Sequence, residues 1–167
     1  MRSDELRALQ APLKARYRED AGAAMITLQA AGDLDGDGVA CSVATGKALV
    51  EAGLHPSSGG DGTLACSGDM LLQALVACAG VTLSAVATAM GITVRNARIW
   101  AEGAIDFRGT LGVSRDAPVG FRSLNLHWDV ETDAEPDAYK KLIELTERYC
   151  VVYQTLRQPP AIVSHSE

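Results

Sequence analysis

The sequence predicts an α+β fold, and three observations predict it. One long apolar run, Asp69 to Met90, has no strand-breaking residue cluster inside it and reads as a single helix. Two segments after it alternate apolar and polar residues, as half-buried strands do. The order is helix, hairpin, long helix, antiparallel strands, helix, without the βαβ alternation of a parallel sheet. At 167 residues the chain predicts one domain over 1–167, with residues 1–20 as an N-terminal helix. Such a chain buries roughly 70% of the surface it exposes when unfolded.

Residues 3 to 18 open as a helix. Ser3 caps it, Asp4 and Glu5 place negative charge in its first turn, and Leu6, Leu9, Leu13 and Tyr17 give an apolar face. Pro12 strains or splits it. Met25 to Ala31 and Val39 to Ala44 read as a hairpin joined by a Gly-Asp segment from Gly32 to Gly38. Gly46 to Glu51 is expected to be short helix or irregular, and His55 to Gly62 to be loop. The Asp69–Met90 helix extends about 33 Å and ends at Gly91, a good residue for closing a helix. Ile92 to Phe107 follows as strand, and Gly109 to Gly120 as loop or bulge. Leu124 to Val130 is strand, with Leu124, Leu126 and Trp128 on one side. Asp137 to Tyr149 is an amphipathic helix, and Gln158-Pro159-Pro160 ends regular structure.

The long helix has no Lys, Arg or Glu, and its length would span a bilayer. Its richness in Ala, Gly, Ser and Thr, and Gln73 within it, favour burial on all sides instead. One chain of this size can hardly wrap it, and Ala74, Ala77, Gly80 and Ala85 allow close helix–helix approach. The expected partner is a second copy. A net charge of −6 argues against a nucleic-acid binder, which normally presents a basic face. Met1 to Asp20 is charged and has no apolar signal core, and four cysteines are too few for a disulfide scaffold, so the cytoplasm is expected.

Several motifs fall to plainer readings. Asp33-x-Asp35-x-Asp37-Gly38 opens like a calcium loop, but Ala44 stands where a bidentate Glu is required; it reads as an acidic turn. Gly59-Gly60-Asp61-Gly62-Thr63 lacks the Gly-Lys-Ser/Thr ending of a phosphate loop. Cys41, Cys66, Cys78, Cys150, His55, His127 and His165 show no metal-ligand spacing, and no nucleophile-elbow motif supports a Ser/His/Asp hydrolase.

The thiols remain. A buried Cys in an apolar helix is by itself an inert core residue more often than not. However, Leu75-Val76-Ala77-Cys78-Ala79-Gly80-Val81-Thr82-Leu83 and Tyr149-Cys150-Val151-Val152-Tyr153-Gln154-Thr155-Leu156 resemble the two cysteine motifs of the OsmC/Ohr family, the osmotically inducible and organic-hydroperoxide-resistance proteins. The likeness runs from Met25 onward. It implies an intertwined homodimer with a long central helix against antiparallel sheet, and a stress-response peroxidase with its site at the subunit interface.

By that resemblance Cys78 is the peroxidatic cysteine and Cys150 the resolving one. The resemblance further implies a small hydrophobic peroxide substrate and an external thiol reductant, with no metal or organic cofactor. The family places a Pro-Glu pair about ten residues before the first cysteine and completes the site with an early Arg. Here Ser67-Gly68-Asp69 stands instead, so Asp69 is the available acid, and Arg16, Arg18, Arg108 and Arg148 are the candidate arginines. Cys41 and Cys66 read as core filler, although Cys66 lies close to the helix start. Two other functions fit the same sequence: a non-catalytic binder of apolar small molecules, and a thiol sensor that oxidises once.

Overall fold

A computed structural model of the chain describes residues 2–5, 8, 11, 19, 31–34, 40–44, 49–112 and 114–166, with side chains described outside 31–49. Where described, the expected N-terminal helix is helical at Ser3–Glu5, Ala8, Ala11 and Glu19; Pro12, Arg16 and Arg18 lie outside the described residues. So do residues 25–30 of the first expected strand. The chain forms two compact units. One comprises Met1–Asp20, Ala74–Trp100 and Leu126–Glu167; the other comprises Ala21–Gln73 and Ala101–Asn125.

The second unit carries a four-stranded sheet in the order β1(Ala31–Leu34), β2(Ala40–Ala44), β3(Leu49–Gly53), β4(Ala65–Cys66). β1 and β2 are antiparallel, with Ala31 opposite Ala44 and Leu34 opposite Cys41, so the expected hairpin is present. Its first strand takes in Gly32, Asp33 and Leu34, which turn-forming composition had assigned to the connection. Leu49 to Gly53 corrects a second expectation: it is strand, antiparallel to β2 with Val43 opposite Val50. The segment is too short to show a period of its own, and the β2 ladder supplies its backbone partners. β4 pairs in parallel with β3, Gly53 opposite Cys66. A 3₁₀ turn, Pro56–Ser58, lies within the expected loop.

The long helix α1 spans Ser67–Met90. It ends as its sequence predicts. Gly91 adopts φ 71°, its N–H reaches the Thr88 carbonyl at 3.2 Å, and the Ile92 N–H reaches Ala87 at 2.9 Å. That pair of bonds closes the helix through a left-handed glycine, which has no Cβ to oppose it. Burial is confined to Leu75, Ala79, Leu83 and Ala87, a stripe repeating every four residues. Val81 is 74% exposed, so the expectation of a helix buried all round is not met within one chain. Among the described residues α1 is the one helix long and apolar enough to cross a membrane.

β5(Val94–Ile105) and β6(Phe121–Thr132) form a two-stranded sheet. Arg95 faces Glu131 at 2.8 Å, and the Thr93 N–H meets the Asp133 carboxylate at 3.0 Å. Trp100 stacks on His127 with ring centroids 4.8 Å apart, and these three pairings define an antiparallel register. Between the strands lies a short helix, α2(Phe107–Thr110), where loop or the end of a strand was expected. Asp106 caps it by accepting the Arg108 N–H, and a local cap of this kind is enough to turn the chain.

In the first unit, Leu83 and Ala87 of α1 pack with Leu142 of α3(Pro136–Tyr149). Val94, Ile99, Trp128 and Val130 close the core from the strands, and Ile92 from the turn before β5. The last helix, α4(Val151–Arg157), follows α3 after a single extended residue, Cys150.

Candidate functional site

Cys78 lies half-buried in the fourth turn of α1, one position before the fully buried Ala79. Cys150 is 1% exposed and occupies the elbow between α3 and α4, with φ −72° and ψ 110°. At the elbow Cys150 is followed by Val151 and Val152, β-branched residues that are weak helix formers, and these open α4. Hydrogen bonds then hold it. The Cys150 N–H donates to the Thr146 carbonyl at 2.9 Å, the Gln154 N–H to the Cys150 carbonyl at 3.0 Å, and the Gln154 side-chain amide to the Glu147 carbonyl at 2.9 Å. Thr146, wholly buried, donates to the Leu142 carbonyl at 2.8 Å.

This arrangement brings the two thiols, remote in sequence, close enough for each to shift the other's pKa. Both are free thiols. Burial pushes the Cys78 thiol up, but the Val152 N–H, the Cys150 S–H, the Val151 N–H and the Thr82 hydroxyl outweigh it, and its pKa lies below the ordinary thiol value. Burial raises the pKa of Cys150, the Tyr153 N–H opposes that, and an ionised Cys78 beside it adds to the rise. Of the pair, Cys78 therefore carries the negative charge first. Thr82 also donates to the Cys78 carbonyl at 2.7 Å, so its hydroxyl is held one turn above the sulfur.

The backbone amides at the start of α4 were not legible in the sequence. No Gly or Pro marks the break at Cys150, and the Val151-Val152 pair is its one local signal. Among the described residues, no guanidinium is among the influences on Cys78 named above. Of the candidate arginines, Arg108 is committed to Asp106, Nη2 to Oδ2 at 2.6 Å. That side-chain bond lowers the Asp106 pKa to about 2. Arg148 is exposed and sits over the Tyr149 ring at 5.7 Å. Asp69 stands in the first turn of α1, nine positions before Cys78, a rise of about 13.5 Å along one helix. Its carboxylate does not reach the sulfur directly.

Cys66 is a half-buried free thiol at the β4–α1 junction, in the second unit. The side chain of Cys41 lies outside the described residues. A groove of about 350 Å³ between α1 and β5 is lined by Gly80, Leu83, Ala87, Val94 and Ile99, and neither Cys78 nor Cys150 lines it.

A family model described as OsmC-like protein matches residues 60–165. The chain belongs to the OsmC-like family. A hydroperoxide reductase of Mycoplasma genitalium is 33% identical over 85 residues, 51% of this chain and 57% of that protein. The match thus spans little more than half the length of that relative. Among solved structures, an OsmC-like protein from Mycoplasma pneumoniae superposes with a TM-score of 0.67 at 19% identity, covering 80% of this chain and 89% of that one. An organic hydroperoxide resistance protein OsmC from Legionella pneumophila gives 0.62 at 13% identity, covering 80% and 93%. At these identities the structural likeness speaks for the fold, α+β with a long helix and antiparallel sheet, and the family model for the membership.

Proposed function

We propose that this OsmC-like protein is a thiol-dependent peroxidase that reduces organic hydroperoxides. The observation that carries the reading is the Cys78–Cys150 pair, two free thiols close enough to shift each other's pKa, with that of the first lowered and that of the second raised. A relative named hydroperoxide reductase and structural neighbours named for organic hydroperoxide resistance support it.

The Cys78 thiolate attacks the distal oxygen of the peroxide. The S–O bond forms as the O–O bond breaks, and the alkoxide leaves and takes a proton as the alcohol. Cys78 is now a sulfenic acid. The Cys150 sulfur displaces its hydroxyl as water, and an external dithiol reduces the resulting disulfide by two exchange steps. The backbone N–H groups of Val151 and Val152, aimed at Cys78, do the work of holding the thiolate in an apolar setting. No metal or organic cofactor takes part in this cycle.

The reading extends to a soluble cytoplasmic homodimer. Its support is the exposed side of α1, where Leu71, Ala74, Ala77, Val81 and Ser84 recur every three or four residues and offer a second copy a close-packing face. The mutual influence of the thiols on each other's pKa favours a reactive pair over a non-catalytic binder, in which they would be mere lining.

The test is mass spectrometry of the reduced protein after one equivalent of cumene hydroperoxide. A Cys78–Cys150 disulfide is expected within the first turnover. Recovery of both as free thiols, with the peroxide unconsumed, would sink the proposal.

A further inference from the structure

The second unit contains a pocket of about 330 Å³ that the Cys78–Cys150 chemistry does not use. Its walls are Leu72, Phe107 and Phe121, and three chemically active side chains from separate elements line it: His55, Cys66 and Asp69. His55 comes from the residue before the 3₁₀ turn, Cys66 from the end of β4, and Asp69 from the first turn of α1. A cavity of this size, with apolar walls and several polar groups facing one space, has the character of a small-molecule site.

The walls are fixed. Phe121 lies so close to β5 that a Cβ on Gly103 would fall 2.3 Å from its ring. Only glycine admits that approach. A Cβ on Gly68 would instead make ordinary contacts, 3.5 Å from Phe121, 3.6 Å from the Cys66 sulfur and 3.7 Å from Ile105. The Gly68 position therefore looks onto the thiol, and a larger side chain there fills the space beside it.

His55 is also held. Its ring stacks on Phe107 at 5.1 Å, and its Nδ1 accepts the Ser57 N–H at 3.0 Å. An imidazole that accepts at Nδ1 carries its proton on Nε2, which leaves Nε2–H as the ring's donor. Asp69 contributes an acceptor and a negative charge. The apolar walls beside these three polar groups suit an organic ligand. Its body is apolar, to match Leu72, Phe107 and Phe121. Its head both donates to a carboxylate and accepts from an N–H, and carries no negative charge of its own, because Asp69 repels a carboxylate. A hydroxyl meets all three conditions.

We infer that the His55–Cys66–Asp69 pocket is a second ligand site that binds a neutral, largely apolar molecule through a hydroxyl head, with the Cys66 thiol against the bound molecule. Alcohols and hydroperoxides share this head. An alcohol is the cleaner probe because it does not oxidise thiols. The site stands independently of turnover at Cys78.

The test is iodoacetamide labelling of the full-length reduced protein, with Cys66 quantified by its own peptide. Saturating 2-phenyl-2-propanol is expected to slow Cys66 labelling by about five-fold or more, as mass action requires once the ligand is well above its Kd. Octanoate at the same concentration is expected to protect little. Gly68→Val should remove the protection by filling the pocket, and Leu72→Phe offers a second filling variant if the first fails to fold by circular dichroism. Asp69→Asn should let octanoate protect. Unchanged Cys66 labelling up to the solubility limit of the alcohol overturns the inference, as does equal protection by octanoate in the unaltered protein. Protection that persists in a folded filling variant also overturns it.

Discussion

At the scale of single residues, the two cysteines differ in chemistry because they differ in surroundings. Cys78 lies beside donors that lower its pKa, while Cys150 is shut away from water, which raises its own. The pH dependence follows. Labelling of Cys78 should show a midpoint below the ordinary thiol value of about 8.5, and that of Cys150 a midpoint above it. Coincident midpoints would count against the assignment. The stability linkage has opposite signs at the two sites. The Cys78 thiolate contributes stability above its unfolded pKa, lost as pH falls through its lowered folded pKa. The Cys150 thiol contributes below its unfolded pKa, and that contribution is lost as pH rises toward its raised folded value. For turnover, Cys78→Ser should abolish cumene hydroperoxide consumption in a coupled thiol assay. Cys150→Ser should permit one oxidation and leave Cys78 exposed to sulfinic acid formation, visible as a mass gain on its peptide.

At the scale of elements, the elbow between α3 and α4 is what makes a pair of the two cysteines. Leu142 anchors α3 in the core with no exposed surface, so Leu142→Ala should cost about 2–5 kcal/mol of stability, read by urea denaturation. The Gln154 amide ties α4 back to the Glu147 carbonyl, and removing it leaves that carbonyl without this partner. Gln154→Ala should cost about 0.5–1.5 kcal/mol and slow disulfide formation after Cys78 oxidation, followed by rapid quench and alkylation. An unchanged rate would mean that the elbow holds its geometry without the amide. The long helix shows how local signals carry through: an acidic residue opens it, a left-handed glycine closes it, and both were readable. The strand at Leu49–Gly53 was not readable, because its partner ladder is formed by residues outside its own window.

At the scale of the whole molecule, α1 is the element one chain leaves incompletely covered. Leu71 is 37% and Val81 74% exposed on this largely apolar helix. Water contact along such a face is unfavourable, and a second copy would remove it. Sedimentation equilibrium should give a mass twice that of the 17.6 kDa chain. Val81→Glu should shift it toward the single-chain mass, since a charge there would be buried unpaired at the interface. A monomer in the unaltered protein would contradict the proposed homodimer.

What the sequence determined by itself was the α+β class, the span of the long helix within a few residues, and the two cysteine motifs that marked the family. These rest on hydrophobic period and on local chain chemistry, which neighbouring residues carry. The tertiary structure alone decided that Cys78 and Cys150 lie close together, that amides at the start of α4 lower the pKa of Cys78, and that Cys66 shares a pocket with His55 and Asp69. Each of these joins groups distant along the chain. Their contact depends on how packed elements orient their side chains and amides, and no local pattern encodes that.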